Sequence, residues 1–298
     1  MNNKERPNFK TRRLLVWALL LILLLALAME GCGGSKKPTP SGFYKKEASL
    51  NKKAKEAYAN RRYNKALVLY KEALNASRAV EDIDLSAVNL INIAATYRAL
   101  GQRDNAIRTV DEILEASHIK YPVARLSEAA FIKALLLKDA QDYTGARKMA
   151  DKAMDFCLKA NCGAQGKIFN LKARLAFLER DLPKTLALGQ TGLKINRAQK
   201  NEQETANSLR LIADVKTEKA EYADARALYE EALVHDKELG LSKKIALDLR
   251  KIGVLLKKQG LSKEALKYFQ RAYSVSLGGK DEAGVKLASE MINSLQTK

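Results

Sequence analysis

Catalysis needs nucleophiles, bases or metal ligands brought together, and this sequence offers few of them. It has two histidines, His118 and His235, each near the end of an apolar-periodic run where an exposed helix terminus is expected. Cys157 and Cys162 stand five apart with no histidine beside them, which is poor spacing for a metal. Gly163–Lys167 (GAQGK) is too short for a phosphate-cradling loop and is not followed by Ser or Thr. No G-x-S-x-G or H-E-x-x-H is present. The acidic residues fall on the polar faces of helical stretches, where neighbouring carboxylates signify solvation. These residue types predict no enzyme, no metal and no cofactor.

The charge is more telling. The formal net charge is +19, and beyond residue 31 there are still 48 basic against 32 acidic residues, or +16. Such a surplus favours anionic partners, and its alternative is a Lys-rich, solvated surface. The basic residues do not interleave with aromatic stacking platforms, so nucleic acid is not expected.

The first 43 residues read as an address. Residues 1–13 are polar and basic, and Leu14–Met29 is an unbroken apolar run, about 24 Å long as a helix. Met29-Glu30-Gly31-Cys32 then resembles the lipobox of bacterial lipoproteins. By that resemblance Cys32 carries a diacylglyceryl thioether and becomes the mature N-terminus. Met29 and Glu30 depart from the family's preferred Leu and small residue, and an uncleaved N-terminal membrane helix is the other reading. Either way the remainder lies outside the cytoplasm if the basic end stays inside. Gly33 stands where lipoproteins retained at the inner membrane often have Asp, which implies the outer membrane. The expected boundaries are a signal peptide at 1–31, a lipidated cysteine with a flexible tether at 32–43, and a folded domain at 44–298. In that oxidising space Cys157 and Cys162 either form a local disulfide or remain two thiols.

The elements that must position any binding residue follow from an internal repeat. YNKALVLYKEAL (Tyr63–Leu74) recurs as YADARALYEEAL (Tyr222–Leu233). The central small residue of each copy gives Ala66, Ala106, Ala146, Thr185, Ala225 and Ala265, spaced 40, 40, 39, 40 and 40 residues apart. Twelve before each anchor stand Ala54, Ala94, Ala134, Ala173, Ala213 and Gly253, where two helices must approach closely. Within a unit the apolar spacing is helical, as in Leu90, Ile93, Ala94 and Tyr97, and Gly101 and Gly260 end first helices at one register. Each unit is predicted to be helix, tight turn, helix.

Over residues 46–277 this pattern resembles the tetratricopeptide repeat. Ala54, Tyr63, Ala66, Tyr70 and Ala73 match its signature, as do Gly253, Gly260, Ala265, Phe269 and Ala272. The family period is usually 34, so the surplus is expected to lengthen helices or linkers. The resemblance implies an all-α fold: a right-handed superhelical solenoid of about six hairpins, with a C-terminal capping helix over residues 280–296. It implies a concave wall of first helices, whose registers fifteen, eleven and eight before each anchor face a partner. Those registers hold Asn51, Lys55 and Tyr58; Ile91 and Arg98; Phe131, Leu135 and Lys138; Asn170, Arg174 and Phe177; Arg210; and Arg250 and Lys257. Their apolar middle and basic far end predict a groove for an acidic segment with an apolar anchor. The carboxylate-clamp variety is not expected, because Glu128 and Ile132 stand where its Lys and Arg belong.

The resulting expectation is an envelope-anchored scaffold for other envelope proteins, tied to the membrane by its N-terminal lipid. The alternative is a binder of an anionic envelope polymer.

Overall fold

The computed structural model describes residues 42–296. Cys32, the apolar run before it and the tether as far as Ser41 lie outside the described residues. One compact unit, Lys46–Lys298, holds all but the first four of those described. Among them there are thirteen α-helices and no strand. They are α1 (Gly42–Ala59), α2 (Tyr63–Arg78), α3 (Ile83–Ala99), α4 (Arg103–Leu114), α5 (Val123–Asp139), α6 (Tyr143–Lys159), α7 (Gln165–Leu178), α8 (Leu182–Ala198), α9 (Glu202–Glu218), α10 (Tyr222–Glu238), α11 (Ser242–Lys258), α12 (Ser262–Gly278) and α13 (Glu282–Gln296). They pair as hairpins, α3–α4 through α11–α12, with α13 packed on the last; α1 and α2 make the first of six, joined through Ala54, Ala57, Ala66 and Tyr70. No helix among the described residues is long and apolar enough to cross a membrane.

The forty-residue period resolves into parts. From α9 onward each full unit is two 17-residue helices joined by three-residue turns. The residues beyond the usual family period therefore lengthen helices, not linkers. Eleven of the twelve connections turn on a residue of positive φ, including Arg61, Glu81, Gln141, Arg180, Lys200 and Lys280 as well as Gly101, Gly240 and Gly260. Past each, a backbone N–H reaches back five residues, as from Asn201 to the Asn196 carbonyl at 2.9 Å. Where the residue is not glycine, the left-handed backbone costs roughly 1–2 kcal/mol. The exception is α4, which ends at Leu114 and leaves an irregular stretch before α5 in which Tyr121 is buried.

All six anchor residues are fully buried. So are the alanines twelve before them, and at Gly253 the fit is tightest: a Cβ there would lie 2.4 Å from Phe269 Cε1. Helix pairs thus touch backbone to backbone while Leu, Ile and Tyr fill the gaps between hairpins. First helices of successive hairpins touch, α3 with α5 and α7 with α9, whereas no second helix meets another comparably. The first helices therefore line the inner wall. The stack returns on itself: Arg61, in the first hairpin turn, donates from Nη1 to the Lys280 carbonyl at 2.7 Å and lies 3.4 Å from Asp281 Oδ1.

Candidate partner-binding wall and the polar rungs beneath it

The predicted wall residues divide into two groups. Phe131, Leu135 and Phe177 are half-buried and apolar. Phe131 and Leu135 pack on the cluster of Leu171 and Leu175. Lys167 Nζ lies 5.0 Å over the Phe131 ring, and the Arg174 guanidinium lies 5.6 Å over that of Phe177. Lys55 and Lys257 are exposed, the latter donating to Ser294 Oγ at 3.0 Å. Tyr58 packs edge-on against Tyr63 with ring centroids 5.2 Å apart. Burial, then the neighbouring Tyr63, raises its pKa above the usual phenol value. Arg98 and Lys138 both hold Asp139, at 2.6 and 2.7 Å. These residues form an accessible surface with an apolar middle and cations around it.

The other group is spent inside the protein, which corrects the sequence expectation for it. Ile91 is buried in the core. Asn170 is buried and donates to the Glu204 carbonyl at 2.9 Å. Arg210, expected at the basic end of the groove, has a 3% exposed side chain. It sits between Asp236 and Asp248, donating to the latter at 2.9 and 3.1 Å, and from Nη2 to Asn207 Oδ1 at 2.6 Å. It has no freedom to grip a partner's carboxylate. Arg174 is shared, since it also donates to Asp214 Oδ2 at 3.0 Å. Arg250 is partly sunk, with a buried Nη1 that has no hydrogen-bond partner. Burial pulls its pKa down, against the pull of Asp281.

A rule underlies these placements. At four of the five junctions three side chains meet: those fifteen before and eleven after the anchor of one hairpin, and that seventeen before the next anchor; at the second junction α4 ends short and Ser117 is exposed. Between hairpins one and two they are Asn51, Ser77 and Asn89, with Asn51 Nδ2 to Asn89 Oδ1 at 2.9 Å and a further bond from Asn51 to Glu47. Between three and four they are apolar: Phe131, Cys157 and Ile168. Between four and five they are Asn170, Asn196 and Ser208, bonded at 2.6 and 3.1 Å. Between five and six they are Arg210, Asp236 and Asp248. Asp236 and Asp248 are both 0% exposed, so the expectation that carboxylates mark solvated faces fails here. Burial, opposed by Arg210 and assisted by Asp236, pushes the Asp248 carboxyl up to about 7.

A second buried carboxylate behaves oppositely. Asp214 receives Tyr229 Oη at 2.6 Å and Lys251 Nζ at 2.8 Å besides Arg174. Burial alone would raise its pKa, but Lys251 and Arg174 overcome that and hold it below the usual carboxylate range. Its partner phenol, Tyr229, is pushed up by burial and then by Asp214.

Cys157 and Cys162 are joined as a disulfide, with Cα atoms 4.9 Å apart, across the turn that ends α6. His118 is exposed, whereas His235, expected to be exposed, is half-buried with Nδ1 2.8 Å from Glu202 Oε2. No group of metal-ligating side chains assembles among the described residues.

Stacked hairpins of one pattern, with small residues at fixed registers, define a helical-repeat solenoid. Residues 204–277 match the family model described as the tetratricopeptide repeat, and the remaining hairpins share the build of that segment. No curated protein matches the chain. Among solved structures it resembles BtubC from P. vanneervenii, at 15% identity and a TM-score of 0.56 over 81% of this chain and 93% of that one. It resembles a Rap protein complexed with competence and sporulation factor, at 13% identity and a TM-score of 0.61 over 85% and 75%. PilF of Pseudomonas aeruginosa is similar too, at 12% identity and a TM-score of 0.52 over 84% and 99%. These likenesses concern the fold. A tetratricopeptide fold suits a scaffold for protein–protein interaction.

Proposed function

We propose that this chain is an envelope-anchored scaffold, lipidated at Cys32 and facing the periplasm from the outer membrane, that docks segments of other envelope proteins on its inner wall. The observation that carries the docking is the half-buried surface of Phe131, Leu135 and Phe177 with Lys167 and Arg174 stacked over its rings. An apolar anchor desolvates there and supplies most of the affinity, while flanking carboxylates meet Lys167 and Lys257, which have no acidic partner among the described residues. The solved Rap complex with competence and sporulation factor, on a similar fold, supports binding to a fold of this build. The address rests on the lipobox-like Met29–Cys32.

The test is photocrosslinking in intact cells from a probe at Leu135. A discrete crosslinked protein is expected, lost on Phe131→Ala with Phe177→Ala and retained in high salt. Adducts that vanish over tens to hundreds of millimolar salt and ignore those substitutions would favour an anionic envelope polymer instead. Labelled palmitate that still enters a Cys32→Ser variant would remove the lipid anchor from the proposal.

A further inference from the structure

On the outer side of the solenoid, an ionic rung ties neighbouring second helices at two of the five junctions. It joins the residue twelve after one anchor to the residue six after the next. Arg78 bonds Glu112 between hairpins one and two, and Arg197 bonds Glu231 between four and five. At the second junction the helix ends before the rung, at Leu114, and at the third Leu158 and Thr191 stand there. Between hairpins five and six the helices are full length, but the same two positions hold Lys237 and Arg271, both cations.

The carboxylate that closes the other rungs is missing, and the junction gapes. Lys237, Lys267 and Arg271 rim a crevice of about 480 Å³, floored by Ile245, Leu249 and Val275, with no acidic residue in its lining. Lys237 and Lys267 are exposed, and their ammonium groups have no ion-pair or hydrogen-bond partner among the described residues. Arg271 is held in place, its guanidinium stacked 4.9 Å over the Tyr268 ring. The charge asks for an anion, and the apolar floor asks for more than a bare one.

We infer that this crevice docks an acidic protein segment, whose Asp or Glu carboxylate takes the place that Glu112 and Glu231 hold in the paired rungs and whose neighbouring apolar side chain covers the floor. Arg271 grips that carboxylate with two N–H groups, and Lys237 and Lys267 add point charges. Its cations all lie on the second helices α10 and α12, so it is independent of the inner-wall docking proposed above.

The test uses the full chain in a non-ionic detergent and a capped, fluorescent hexapeptide, Glu-Leu-Glu-Glu-Leu-Glu, followed by anisotropy. Binding is expected, and the Gln-Leu-Gln-Gln-Leu-Gln peptide should bind about ten-fold more weakly or worse. The Arg271→Glu variant supplies the missing carboxylate to Lys237 from within. It should lose the acidic peptide by a similar factor while its melting temperature holds or rises, which separates a filled site from a damaged fold. A Phe131→Ala/Phe177→Ala variant should bind as the parent does. Equal binding of the two peptides, or undiminished binding by Arg271→Glu, overturns the inference. So does complete displacement by inorganic phosphate at the peptide's own concentration, which would mark a bare anion site.

Discussion

Replacing Arg210 by Met would leave Asp236 and Asp248 facing each other at the junction of the fifth and sixth hairpins, both fully buried and without their cation. Lys244 is close enough to feel both carboxylates, but the hydrogen bond it makes is to Asn207, at 3.0 Å, and to neither of them. Removing one partner from a buried ionic group costs about 3–5 kcal/mol, because an uncompensated charge stays behind. Replacing all three members at once should cost far less, since the junction before it is built without charge. The triple variant Arg210→Asn, Asp236→Asn, Asp248→Ser copies the Asn170–Asn196–Ser208 triad and should cost about 1–2 kcal/mol or less. Hydrogen exchange of amides in α9–α12 reads both, the single variant opening roughly a hundred- to several-thousand-fold more often than the parent and the triple about thirty-fold or less. pH gives an internal check. The Asp248 carboxyl is raised from its ordinary 3.8 to about 7, so folding takes up a proton there. Its stabilising contribution is full below about pH 4 and is lost as pH rises through about 7. Asp248→Asn should flatten that slope. A single variant as protected as the parent, or a triple variant as damaged as the single, would refute the reasoning.

Two further outcomes follow from packing and closure. Gly253→Ala drives a methyl to 2.4 Å from the Phe269 ring, so it should destabilise the α11–α12 hairpin by about 1–3 kcal/mol, seen as faster exchange confined to α11–α13. The contact between Arg61 and the Lys280–Asp281 turn is partly exposed and worth only about 0.2–1 kcal/mol, so it favours the closed stack by just a few-fold. A short thiol crosslinker should join an Arg61→Cys/Lys280→Cys pair; failure to join would mean that the ends do not meet.

What could be read from the sequence was whatever depends on spacing alone. The anchors at 66, 106, 146, 185, 225 and 265, the small residues twelve before them, and helix–turn–helix units follow from close approach and periodicity, and the structure has them. The wall was legible where a register is apolar, as at Phe131 and Phe177. It was not legible at Arg210, because register assigns a direction to a side chain and says nothing of what stands opposite. Arg210 and Arg250 occupy one register, yet one is enclosed by two carboxylates and the other partly sunk with an idle Nη1. The missing signal lay in comparing columns: Asp236 eleven after its anchor and Asp248 seventeen before the next are charged where Cys157 and Ile168 are apolar. Three columns read together would have shown a charge meeting its counter-charge across a junction forty residues long.

The same logic decides where the basic surplus can act. A net charge of +19 suggests a surface that attracts anions everywhere, but charge inside a rung is already answered. Arg78, Arg98, Arg125, Arg147, Arg197 and Arg210 each lie against a carboxylate of another helix, so they offer a partner little that water and the protein have not supplied. An anionic partner gains most where the periodic pattern leaves cations facing cations, as at Lys237 and Arg271. There its carboxylate meets cations that have no acidic neighbour, instead of competing with one already in place.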